Sequence, residues 1–194
     1  MIVAYLILAA SAASSSNPDD LSVQALHNFG TCVVQRAPRG ARAALDLDYR
    51  SNEYDQQMHA VLKGTDYCLT PGGQMRASPV LYAGAMAEAL LKDEIKPADL
   101  PLRLAYDPAR AVIKARSPVE AMALCTALQA PQATAQLLEA EPTTKAEAEA
   151  ISAVTPALTD CLKKDMKLEL NKPALRAVLA LAAWRIVTTP KVPA

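Results

Sequence analysis

Four cysteines occur at a spacing that repeats along the 194-residue chain. Cys32 and Cys68 are 36 residues apart, and Cys125 and Cys161 are separated by the same 36 residues. A shift of 93 residues places the first pair on the second and aligns ten identities in 67 positions without a gap. The pattern predicts a tandem duplication, and a duplication constrains the architecture more than any single motif does.

The duplication also predicts how the cysteines pair. Four cysteines allow three connectivities, but a unit that once folded alone would have closed its own bridge. We therefore expect Cys32–Cys68 and Cys125–Cys161 disulfides, each worth about 4 kcal/mol in the chain-entropy model. A redox-active pair or a zinc site is the alternative, but the sequence has no C-x-x-C and no His at ligand spacing beside a Cys.

Composition favours helices in both halves. Ala and Leu account for 64 of the 194 residues, and both are strong helix formers. Capping signals precede the apolar stretches at Ser51, Ser78, Ser117, Thr144 and Asn171. We predict an all-α protein made of two three- to four-helix units, each stapled by one disulfide and packed together as one body.

The expected organisation has five segments. They are a signal peptide, a first repeat, a connector, a second repeat and a tail, at 1–13, 17–92, 93–116, 117–187 and 188–194. Three details of this interpretation concern local structure. In the connector, Leu102–Tyr106 and Ala111–Lys114 are predicted to pair as a hairpin. Pro156 is expected to kink or interrupt its helix. Leu69–Gly73 is predicted to form a turn.

The first residues resemble a secretory signal peptide. Ile2–Ala10 is apolar, and Ala10-Ser11-Ala12 supplies the small residues that signal peptidase accepts, although no basic residue precedes the run. A buried N-terminal helix is one alternative. A membrane anchor is another, but nine residues fall short of the roughly 20 needed to span. We expect a periplasmic or secreted protein with no stable membrane span after cleavage.

Residues that could carry chemistry are few. His27 lies beside an apolar stripe, and His59 follows Asp55 by four positions, which permits a base with an orienting carboxylate. Two pairs of acids occupy corresponding positions and could bind a cation: Asp46, Asp48, Glu139 and Glu141. Solvated surface acids are the commoner interpretation, and neither His is repeated, so we expect no enzyme activity, no cofactor and no metal site.

Two functions remain open. The balance of 20 basic and 20 acidic residues argues against nucleic acid as a partner. We expect an exported, non-enzymatic protein that binds an unknown protein partner or structures the envelope. The alternative is a binder of a small apolar ligand in a cavity between the repeats, with adaptable methionines as its lining: Met58, Met75, Met86 and Met122.

The chain resembles a broad set of uncharacterised exported bacterial proteins with two Cys-containing helical repeats. The resemblance rests on Cys32, Pro38 and Cys68 in one half, on the matching Cys125, Pro131 and Cys161, and on Ala-Met-Ala-Glu-Ala at 85–89. It implies a signal peptide and Ala/Leu-rich third helices, and it brings no known activity.

Overall fold

A computed structural model describes residues 18–69, 75–163 and 169–192. Within these ranges the protein forms nine α-helices and no strand, which confirms the all-α class. The predicted signal peptide at 1–13 and residues 70–73 of the predicted turn lie outside the described residues.

The helices occur in two sets of four with a short helix between them. The first set is α1 (Pro18–Arg36), α2 (Pro38–Leu45), α3 (Asn52–Lys63) and α4 (Pro79–Glu94), with a 3-10 turn at Asp66–Cys68. The second set, after α5 (Leu100–Leu104), is α6 (Pro118–Gln129), α7 (Pro131–Glu139), α8 (Lys145–Cys161) and α9 (Lys172–Thr188). The first residues of α2, α3 and α4 each lie 93 positions before those of α7, α8 and α9. The two halves therefore share a helix register, while descent from one ancestral unit stays a prediction.

Side-chain caps mark where four of these helices begin. Four residues accept a hydrogen bond from the backbone N–H three positions on, at 3.0–3.3 Å: Ser51, Ser117, Thr144 and Asn171. Such a bond satisfies one of the N–H groups that the first turn leaves without a partner. Ser78 precedes α4 but makes no side-chain cap bond, so the proline that follows it is the remaining start signal there.

The prediction of a hairpin in the connector is wrong. Its first proposed strand overlaps α5, where Pro101 lies in the first turn and suits a helix start. The extended residues that follow pair elsewhere, through an isolated antiparallel bridge between Arg110 and Lys191. The alternation of apolar residues in this segment reflects a short helix followed by an extended chain.

Two further details concern the lengths of α8 and α3. α8 continues through Pro156 to Cys161, so the proline does not interrupt it. α3 ends at Lys63, where Gly64 caps it. A separate 3-10 turn then carries the chain to Cys68, which moves the cysteine off the helix axis.

α4 and α9 make the most extensive helix contact, and α1 and α6 pack on α4 and α9 respectively. Gly84 permits this crossing, because a Cβ built there would lie 2.4 Å from the Cβ of Ala177. Gly84 and Ala177 are themselves 93 positions apart. Contact between corresponding residues is the arrangement that a two-fold relation between the halves produces.

Both disulfides are the pairs that the cysteine spacing predicts. Cys32 on α1 bonds Cys68, and Cys125 on α6 bonds Cys161 at the end of α8, each with Cα atoms 5.7 Å apart. No cysteine is free. Two structural disulfides suit an oxidising, extracellular compartment.

Candidate functional site

A buried arginine joins the two halves of the molecule. Arg176 on α9 and Glu88 on α4 are each no more than 3% exposed. Nε of Arg176 donates to Oε2 of Glu88, and Nη2 donates to Oε1, both at 2.7 Å. This fork-to-fork geometry is the strongest form of an arginine–carboxylate pair and fixes both side chains.

The rest of the guanidinium binds the start of α8. Nη1 donates to Oε1 of Glu147 at 2.9 Å, and Nη2 also donates to the backbone oxygens of Leu138 and Ala140. The second oxygen of Glu147 accepts the N–H of Thr143 at 2.8 Å. Thr143 has a φ of 67°, a left-handed conformation that β-branched residues rarely adopt. Arg176 therefore holds the turn before α8 against α4.

Lys92 and His27 also lie beside Glu88. Nζ of Lys92 lies 3.0 Å from Oε1, and Nδ1 of His27 lies 3.5 Å from Oε2. Burial by itself raises the pKa of the Glu88 carboxyl, but the hydrogen bonds and charges of Arg176 and His27 outweigh it and hold that pKa well below its usual range. A carboxylate this saturated stays ionised and is a poor general acid or base at neutral pH.

An open cleft lies beside this ion network. It has a volume of about 1210 Å³. One wall comes from α1 and from residues before and within α4: Met75, Arg76, Ala77 and Leu81. The other wall comes from the starts of α8 and α9: Thr143, Thr144, Glu147 and Asn171–Pro173. Both halves of the chain therefore line the cleft, and Glu147 belongs to the cleft wall and to the ion network.

The cleft combines an apolar base with charges of both signs. Leu26 and Phe29 are buried against the core and contribute apolar surface to the lining. Asp19 and Asp20 occupy the acidic first turn of α1, while Arg76 and Lys172 are basic. A surface of this kind suits a ligand with apolar and polar parts.

Asp55 and His59, which the sequence spacing would allow to act as a carboxylate and a base, do not form an ion pair. His59 and Asp55 are both exposed on α3, and the part of the chain that the structure describes has no ion pair between them. His27 does acquire a carboxylate partner, but that partner is Glu88 on another helix. His27 therefore faces a carboxylate that Arg176 and Lys92 also bind.

The acidic candidates for a cation site are also separate. Asp48 forms a salt bridge with Arg50 at 2.6 Å, and its hydrogen bonds from Arg50 hold the pKa of its carboxyl below the usual value. The backbone oxygen of Asp46 accepts a hydrogen bond from Arg116. No group of three or more potential metal ligands occurs among the residues at 18–69, 75–163 and 169–192.

The four methionines divide between core and cleft. Met58, Met86 and Met122 are at most 6% exposed and belong to the main hydrophobic cluster. Met75 alone of the four lines the cleft. The lining therefore comes mainly from α1 and from helix starts.

The sequence interpretation missed the ion network entirely. Its signal was present as charged residues inside buried helical faces: Glu88 within the apolar run of α4, and Arg176 between Leu175 and Ala177. Charges at such positions are almost never buried without a partner. Pairing the two from sequence would have required knowing that α4 crosses α9.

The chain matches no protein-family model, no curated protein and no solved structure. Across the described residues, no helix is long and apolar enough to cross a membrane.

Proposed function

We propose that this chain is an exported, non-enzymatic binding protein that holds a partner in the cleft between its two halves. The observation that carries the proposal is the cleft itself, about 1210 Å³ in volume and lined by α1 on one side and the starts of α8 and α9 on the other. Small-molecule sites are typically about 300–1,000 Å³ and largely closed. An open cleft of this volume favours a segment of another protein as the occupant.

The stapled framework supports a binding role. The Cys32–Cys68 disulfide reaches the cleft wall at Cys68, and the Arg176 network fixes the opposite wall at Glu147. Walls fixed before binding lower the entropic cost of association. The disulfides and the signal-like residues at 1–13 support export to the periplasm or outside the cell.

The alternative is a small apolar ligand in the same cleft. The observation in its favour is the apolar base formed by Leu26 and Phe29, with Met75 at the wall. The two proposed functions differ in the mass of the molecule that the cleft binds, because a protein partner is much heavier than a small ligand.

Site-specific photo-crosslinking tests both functions in the producing cell. A benzophenone amino acid replaces Leu81, which lines the cleft, or Ala60, which is exposed on α3 outside it. We expect a discrete adduct from position 81 and none from position 60. Val23→Trp, which adds bulk to the cleft lining, should reduce the adduct. Equal labelling at both positions, or no adduct at 81, refutes the binding proposal, whereas an adduct of a few hundred daltons supports the small ligand.

The non-enzymatic part has its own test. His27 and His59 are replaced by Gln, singly and together, in the producing cell. We expect folded, exported variants with an unchanged phenotype. Loss of a catalytic activity or phenotype in a variant that still folds and exports would overturn this part alone.

A further inference from the structure

The connector and the C-terminal tail form a second surface, whose residues do not line the cleft. We call residues 102–114 and 190–192 the connector strip. The N–H of Ala111 donates to Pro190 O at 3.0 Å, and the N–H of Val192 donates to Ala109 O at 2.7 Å. The two segments therefore form one continuous surface element.

Large apolar side chains are exposed along this strip. Among the described residues, six large hydrophobic side chains are exposed, and four of them belong to the strip: Leu102, Tyr106, Val112 and Val192. Each is more than half exposed, and Val112 reaches 90%. Single exposed apolar residues are ordinary, but four in one element indicate an interaction surface.

The strip is also basic in a chain of zero net charge. It contains Arg103, Arg110, Lys114 and Lys191 against one acid, Asp107, which gives it a net charge of +3. Asp107 pairs with Lys191 at 2.9 Å.

The two strip arginines bind backbone oxygens. Arg103 donates to Val187 O, and Arg110 donates to Arg103 O and Ala105 O. A carbonyl orients a guanidinium but does not neutralise it, so the positive charge of the strip is largely uncompensated.

We propose that the connector strip docks on a membrane surface that carries anionic phospholipids. Basic residues attract anionic headgroups, and Tyr, Leu and Val side chains enter the boundary between headgroups and acyl chains. Neither the cleft nor the small pocket beside Tyr54 includes a strip residue. The strip presents exposed apolar side chains together with positive charge, which suit a membrane surface. Binding is peripheral and independent of the cleft.

Vesicle flotation of the oxidised mature chain tests the proposal. The probes are phosphatidylcholine vesicles and phosphatidylcholine vesicles containing about one third phosphatidylglycerol. We expect flotation with the anionic vesicles only, and its loss when the salt concentration rises about ten-fold, because salt screens exposed charges.

Charge variants assign any binding to the strip. Lys114→Glu with Lys191→Glu changes the strip charge from +3 to −1 and should weaken binding to anionic vesicles at least about ten-fold. The matched control is Lys63→Glu with Lys145→Glu, which alters the same total charge at exposed positions on α3 and α8 and should bind as the parent does. Circular dichroism establishes that all variants fold.

An apolar variant separates insertion from simple charge attraction. Tyr106→Ser with Val112→Ser keeps the strip charge and should still reduce flotation several-fold. Three results would overturn the proposal: equal flotation with both vesicle types, equal weakening by the control pair, or binding to soluble polyglutamate with no vesicle binding. The last result would assign the strip to an acidic protein partner.

Discussion

Replacing Arg176 with Met tests how much the buried ion network contributes to stability. The substitution keeps most of the side-chain volume and removes hydrogen bonds to two buried carboxylates and two backbone oxygens. Removing one partner of a buried ion pair costs about 3–5 kcal/mol, because a charge is left without compensation. Lys92 and His27 still contact Glu88, so we expect a loss near the lower end, about 3 kcal/mol.

The sign of the pH dependence separates a charge effect from a packing effect. In the parent, the pKa of Glu88 is depressed, so its contribution is fully present above the ordinary pKa of 4.5 and is lost as the pH falls below it. Without Arg176, burial instead favours the protonated Glu88, and protonation relieves the unpaired charge. The difference in stability between parent and variant should therefore shrink as the pH falls through this range.

Urea unfolding followed by far-ultraviolet circular dichroism measures both effects, at neutral pH and near the ordinary pKa of 4.5. The double variant Arg176→Met with Glu88→Leu should lose less than the sum of its single variants, by about 2 kcal/mol. Leu is a reasonable choice, since the residue 93 positions after Glu88 is Leu181. A loss below about 1 kcal/mol for Arg176→Met, or one that is constant with pH, would refute the reasoning.

Two other substitutions test the packing and capping described above. Gly84→Ala should destabilise the protein by about 1–3 kcal/mol or more, because the new Cβ would overlap Ala177. In the control Gly64→Ala, the new Cβ meets nothing closer than 3.6 Å, so the effect on stability should be near zero. Thermal unfolding of both variants measures the difference, and equal effects would contradict the close crossing of α4 and α9. Ser117→Ala should lower the free energy of unfolding by about 1 kcal/mol, because it removes a cap hydrogen bond. Ser78→Ala removes no such bond and should lower it much less. A similar loss of stability in both variants would contradict the assignment of caps.

Local signals predicted the elements of the fold well. Caps and prolines act within a few residues of where they occur, so Ser117 and Asn171 located their helices from sequence alone. The cysteine pairing was also predictable, because the 93-residue shift left one consistent choice. The connector failed because the same apolar spacing fits a short helix or an extended strand, and only its contacts with α7 and α9 decide between them.

The candidate site was less predictable because it is built from residues far apart in the chain. Glu88 and Arg176 are 88 positions apart, and the cleft depends on how the start of α1 lies against the starts of α8 and α9. The identities between the halves also do not include the network. The shared residues are of types such as Cys, Pro and Ala, whereas Glu88, Arg176 and Glu147 have no charged counterpart in the other half.

The two halves differ in the residues that surround the α4–α9 crossing. The 93-residue shift relates Glu88 to Leu181, Arg176 to Ala83 and Glu147 to Tyr54, so the three charges of the network have uncharged residues at the corresponding positions. His27 and Lys92 correspond to Glu120 and Arg185, which pair with each other near the small pocket beside Tyr54.

A symmetric pair of units would present the same surface twice. Here the ionic side borders the open cleft of about 1210 Å³, while the corresponding side holds a pocket of only about 20 Å³. A pocket that small admits about one water molecule. The two halves share the helix register around the crossing of α4 and α9. They differ in the charged residues Glu88, Arg176 and Glu147, which occur on the ionic side alone. The binding role that we propose therefore belongs to the side of the molecule where the halves do not match.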